Sequence, residues 1–166
     1  MNPVEKYFNA ERWYCAGGIG IGVVAIGLAA YFFFKLTQPF YTGMGWALFV
    51  PGLFFLIICS GVFVRSPKDI ARVNSIIRSN PVILQQEEIP RMDKVMSNFK
   101  IIMIVETSLI VLSALLLVFG NLSSPWRGAS AGILVMAFLL LGFDWLADRR
   151  GREYQEFLVA QIKNSK

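Results

Sequence analysis

Two stretches of this chain run without a charged residue for longer than any soluble core helix requires. Residues 13–34 and 36–64 are separated only by Lys35. Two more follow: 101–126, broken once by Glu106, and 128–143, which continues through Asp144 to Leu146. In lipid no water is available to backbone N–H and C=O groups, and a helix satisfies them within itself. At 1.5 Å per residue, about 20 residues cover the ~30 Å hydrocarbon layer of a bilayer. The pattern predicts an all-α integral membrane protein with a single domain over 1–166 and spans at 13–34, 45–64, 99–119 and 126–146. Charged residues make up 16% of the chain, against about 25% in soluble domains, so the composition agrees. The first run ends in Tyr31-Phe32-Phe33-Phe34 and exceeds the 7–15 residues of a secretory h-region, so it reads as a retained helix.

Between the two pairs of runs lies the polar block 65–100. Ser66-Pro67 has the chemistry of an N-cap followed by proline at the first helical position. Residues 68–78 then set Ile70, Val73, Ile76 and Ile77 along one side, and Asn80-Pro81 reads as a stop. This predicts a short amphipathic helix lying in the membrane interface. The tail, 147–166, carries Tyr154, Phe157, Leu158 and Ile162 on one stripe, with Arg149–Glu153 and Arg152–Glu156 spaced for i,i+4 pairing. Each hairpin is therefore expected to end in an amphipathic helix.

All but two of the sixteen Lys and Arg residues fall in the N-terminal lead, the central block or the tail. The exceptions are Lys35 and Arg127. Basic residues are retained on the cytoplasmic side, which places both termini and the central block there. The expected location is the inner (cytoplasmic) membrane. The two halves share a plan: a lead (Glu5-Lys6; Asp93-Lys94), a helix, a Pro-aromatic-Gly turn, a second helix and a basic exit (Arg65; Arg149-Arg150). Such a repeat would be parallel, with its axis along the membrane normal.

Gly18, Gly22, Ala25 and Ala29 recur on one helical face. Small residues allow close backbone approach, so they form a candidate packing seam, with a neighbouring helix or a second subunit. Glu106 is the one ionisable residue well inside a span, about seven residues or ~10 Å from its start. With Thr107, Ser108 and Ser60 it outlines a candidate polar site, either for a cation or proton or as a hydrogen-bonded structural acid. Asp144, Asp148, Arg149 and Arg152 cluster at the end of the fourth span and read as interfacial ion pairs.

The chain has no histidine, which removes bis-histidine haem, most zinc sites and histidine-dependent triads. Cys15 and Cys59 both lie within spans and read as small apolar fillers. No catalytic, cofactor or metal site is expected, and no nucleic-acid partner. The expected partners are the lipid bilayer and another membrane protein or a second copy of the chain. In size and span number the plan resembles bacterial immunity proteins against pore-forming toxins, which implies a non-enzymatic protein acting by helix packing. The alternative is a small oligomeric transporter or channel built around Glu106.

Overall fold

The computed structural model describes residues 3–79 and 83–164. Four long helices account for nearly all of them: α1 (Pro3–Lys35), α2 (Pro39–Ser79), α3 (Ile89–Phe119) and α4 (Ser124–Asn164). A π-helical turn, Leu84–Glu88, leads into α3. All four helices are long and apolar enough to cross a membrane. The connections at the apolar end are short, 36–38 and 120–123. Proline helps to set both restarts: α2 opens on Pro39, and Pro125 stands second in α4, where a missing N–H costs no helical bond.

The helices are longer than the spans read from hydropathy. At 33, 41, 31 and 41 residues, they reach roughly 47–62 Å at 1.5 Å per residue. The surplus lies at the end opposite the two short connections. There the structure corrects the expected interfacial helices. α2 passes through Ser66 and Pro67 unbroken, and α4 runs on through 147–164 in the same way. Pro67 removes one backbone donor, and the Ser66 hydroxyl donates to the Val62 carbonyl at 2.7 Å in the same turn. Arg65 and Asp69 pair across that point at 2.9 Å. The decisive reason for continuity is burial. Val73 and Ile76 turn to protein rather than to a bilayer surface, joining Val4, Phe8, Leu84, Met92, Met96, Tyr154 and Leu158 in one core. The expected stop at Asn80-Pro81 lies outside the described residues.

The apolar stretch is built differently. α1 packs along α2, α2 along α4, and α4 along α3, while α1 meets α4 only briefly. The helices thus form a row in the order α1, α2, α4, α3. Ala25, Ala29, Leu48 and Met136 form one buried cluster in it, and Cys15, Phe55 and Cys59 another. The two hairpins cross most closely near their short connections. A Cβ on Gly43 would overlap the Pro125 carbonyl, and one on Gly128 would overlap the Phe40 carbonyl. One turn on, Gly132 lies against Ala47 and the Met44 carbonyl. Only glycine permits such backbone approach, which gains dispersion contacts where lipid supplies no hydrophobic drive.

Candidate functional site: a carboxyl pair on an edge helix

α3 is one of the two edge helices of the row, with α1 at the other end. In its most apolar 18-residue stretch 11% of residues are buried, against 22–28% in the other three helices. What it buries is unusual. Glu106 and Ser113 are its two buried residues over that length. The helix register carries Glu106 to the α4 face, where its carboxyl group meets that of Asp144 within hydrogen-bonding reach. Glu106 is 6% exposed, and its Oε2 is buried with no partner among the described residues.

The other candidates do not join this pair. Thr107 and Ser108 sit on the exposed side of α3, where their hydroxyls donate back to Met103 and Ile104 carbonyls at 2.7 and 2.8 Å. Ser60 is half-buried on α2, which does not pack along α3. Asp144, read from sequence as one of four interfacial ion-pairing residues, turns instead to Glu106. Asp148 does pair with Arg152, while Arg149 reaches Glu153 at 4.0 Å with both side chains well exposed. An exposed pair of that kind contributes little to stability. Asp148 is 3% exposed, and its Oδ1 is buried and unpartnered among the described residues.

Gly18, Gly22, Ala25 and Ala29 are all buried and line up along α2. A Cβ on Gly22 would come to 3.0 Å of the Gly52 carbonyl and of Leu56. One on Gly18 would run into the Cys59 sulfur, with Phe55 and Phe143 close behind. Gly17, Gly20 and Gly27 of the same helix face open space, so the sequence run of glycines divides into a packed face and a free one. Cys15 and Cys59 meet across this seam within hydrogen-bonding reach. Both are free thiols.

Sequence reasoning missed the most connected charged residue, which lies among polar neighbours in the block 65–100. Glu88 is fully buried. Its carboxylate accepts from Arg72 Nη2 at 2.9 Å, from Arg91 Nε and Nη2 at 3.0 and 2.6 Å, and from the Tyr154 hydroxyl at 3.2 Å. One carboxylate thereby ties α2, the π-helical turn, α3 and α4 together. Tyr154 in turn stacks on Tyr7 of α1 at 4.3 Å, with the ring planes 3° apart. Burial first, then the charge of Glu88, raises the Tyr154 hydroxyl above its ordinary value. Burial likewise raises Tyr7, with Glu11 adding to it. Burial alone would lower Arg91, but the bond and charge of Glu88 outweigh it and hold the guanidinium above its usual value. The i,i+3 spacing of Glu88 and Arg91 was the available signal, and Pro90 between them masked it.

No protein family, no curated protein and no solved structure matches this chain. The site therefore rests on its own geometry. No group of three or more His, Cys, Asp or Glu among the described residues is placed to hold a metal ion. Beside the Glu106–Asp144 pair, the outer flank of α3 is exposed and apolar.

Proposed function

We propose that this chain is a non-enzymatic, multi-pass protein of the inner (cytoplasmic) membrane that works by packing α3 against a helix of another membrane protein. The edge position of α3 carries the reading. This helix leaves Ile104, Val105, Leu112 and Leu115 exposed in the apolar stretch. Thr107 and Ser108 interrupt that flank, and their oxygens retain acceptor capacity after the bonds to their own helix. A partner helix bearing Ser, Thr, Asn or Gln at that depth gains hydrogen bonds that lipid does not offer.

The proposed topology puts the connections 36–38 and 120–123 outside and the polar four-helix end, with both termini, in the cytoplasm. Basic residues support it, since Lys35 and Arg127 alone stand at the other end. Exposed tryptophans fit the same frame: Trp46 and Trp126 near the short connections, Trp13 and Trp145 toward the polar end. The nineteen residue steps from Trp126 to Trp145 span roughly 29 Å of helix, the thickness of the hydrocarbon layer. The two hairpins, with α2 and α4 side by side and glycine contacts at matching places, are read as a parallel pseudo-repeat. The partner is a pore-forming or complex-forming membrane protein, or a second copy of this chain, in keeping with the resemblance in plan to toxin-immunity proteins.

A transport path around Glu106 is the weaker alternative. Thr107, Ser108 and Ser113 direct their hydroxyls to carbonyls of their own helix rather than to a shared channel.

Photo-reactive side chains at Val105 and Leu112 test the docking reading, with Ile57 on the exposed side of α2 as the control. Crosslinks to one protein from the α3 positions alone are expected in cells. Equal labelling from all three would refute a dedicated docking face. For topology, a cysteine at Thr42 is expected to react with an impermeant reagent from outside and one at Gln86 to be protected; the reverse pattern would overturn the orientation.

A further inference from the structure

We infer that Glu106 and Asp144 together form a binding site for one proton, and that this proton holds α3 against α4. Glu106 is buried and Asp144 half-buried, and two carboxyl groups in contact with little water between them repel if both are ionised. One proton shared between them replaces that repulsion with a charge-assisted hydrogen bond, which is among the stronger kinds. Among the described residues no cation lies against the pair. Among the described residues, neither Glu106 nor Asp144 forms an ion pair with Lys or Arg. On α3 the nearest cation, Lys100, lies in an exposed groove with Met103 and Thr107. On α4, Arg152 pairs with Asp148, Arg149 is exposed beside Glu153, and Arg150 stacks over the Tyr14 ring. From α2, the group facing Asp144 is the Cys59 thiol.

Two further observations fit a bound proton or cation. Glu106 Oε2 is buried without a partner among the described residues, and so is Asp148 Oδ1, one turn along α4 and thus on the same side as Asp144. An ionised carboxylate oxygen only accepts, so such atoms are satisfied by a donor. Asp148 and Arg152 lead from the pair toward the polar end, where water can deliver a proton.

The consequence follows from the place of α3 in the row. Over the apolar stretch it packs along α4 alone. The Ser113 hydroxyl returns to Leu109 and Ile110 carbonyls of its own helix. Glu106–Asp144 is therefore the polar link between α3 and its neighbour at that depth. Beyond it, the bonds from Gln155 to Asp93 and from Tyr154 to Glu88 tie the polar ends together. Loss of the proton turns the link into two like charges, and the middle of α3 moves away from α4 while both ends stay tethered. The proton site stands whether or not α3 docks a partner.

The experiment uses the full chain in lipid nanodiscs. Infrared spectroscopy reads the C=O band of a protonated carboxyl group. Nitroxides on cysteines replacing Leu112 and Phe138, both exposed on facing helices, read the α3–α4 distance after Cys15→Ala and Cys59→Ala. At neutral pH the wild type is expected to show the band and a short, narrow distance distribution. Raising the pH should remove the band and broaden the distribution over the same interval. The double variant Glu106→Gln/Asp144→Asn, whose amides bond without a titrating proton, should lack the band and keep the short distance at every pH. Glu106→Gln alone, donating to the Asp144 carboxylate, should also fix the distance. Absence of the band in wild type at neutral pH overturns the proton site, and a band that appears only when sodium is withdrawn assigns it to a metal cation instead. A band that titrates while the distance stays constant overturns the holding role.

Discussion

Replacing Glu88 by alanine removes four hydrogen bonds at once, three from arginines and one from Tyr154. Breaking a buried ion pair by deleting one partner costs about 3–5 kcal/mol, because the remaining charge loses its counter-ion. Here the arginines are not trapped. Arg72 and Arg91 side chains are 39% and 29% exposed, so both can rehydrate, and their share falls below that range, to about 2 kcal/mol. The Tyr154 hydroxyl stays 3% exposed with its residue and loses its acceptor, a loss of the kind that costs about 1–3 kcal/mol on its own. A net loss of about 3 kcal/mol is expected. At about 2–4 °C per kcal/mol for a chain of this size, that lowers Tm by roughly 6–12 °C. The assay is the thermal midpoint in detergent, followed by size-exclusion of heated samples. Tyr154→Phe, which removes one bond and keeps the ring stack, should fall by about a third as much. A Glu88→Ala midpoint within about 1 °C of wild type would refute the view that this carboxylate holds the polar end together.

Alkaline pH should loosen the same region: Tyr7 and Tyr154 keep their protons above the ordinary tyrosine value of 10.0 when folded, so their contribution is present below that pH and fades as pH rises beyond it. Tyr7→Phe/Tyr154→Phe should flatten the alkaline fall in Tm, and an unchanged slope would refute the assignment. Gly128→Leu would drive a side chain into the Phe40 carbonyl, whereas Gly27→Leu meets open space; the first should prevent a stable hairpin crossing and the second leave Tm within about 1 °C. Gly22→Leu should cost about 1–3 kcal/mol as an overpacked seam, and Gly20→Leu on the free face should not.

The hydropathy pattern located four apolar helices because an 18-residue charge-free run has no other comfortable solution. It could not set their ends. Ser66-Pro67 has the residue types of a helix start, yet proline also survives within a helix whose far side is buried, and that burial involves Val4, Met92 and Leu158 from distant parts of the chain. Gly18 and Gly22 were legible as a face, since i,i+4 spacing is local. Which helix they meet was not. Glu106 stood out as a lone carboxyl in an apolar run, but its pairing with Asp144 depends on the register of α4 against α3, which no local signal encodes. Glu88 was hidden for the converse reason, because a charged residue among polar neighbours gives no hint that four elements close over it.

The continuity of α2 and α4 through the polar end also makes the protein a set of levers. No loop separates the apolar stretch of α2, α3 or α4 from the part that enters the polar core. α3 is about 47 Å long at 1.5 Å per residue, so a 5° tilt about one end displaces the other by about 4 Å. A displacement of that size exceeds what a close-packed interior absorbs by elastic strain. A load on the outer flank of α3 that pivots the helix about its far end is thus felt at Met92 and Met96 in the core of the polar end.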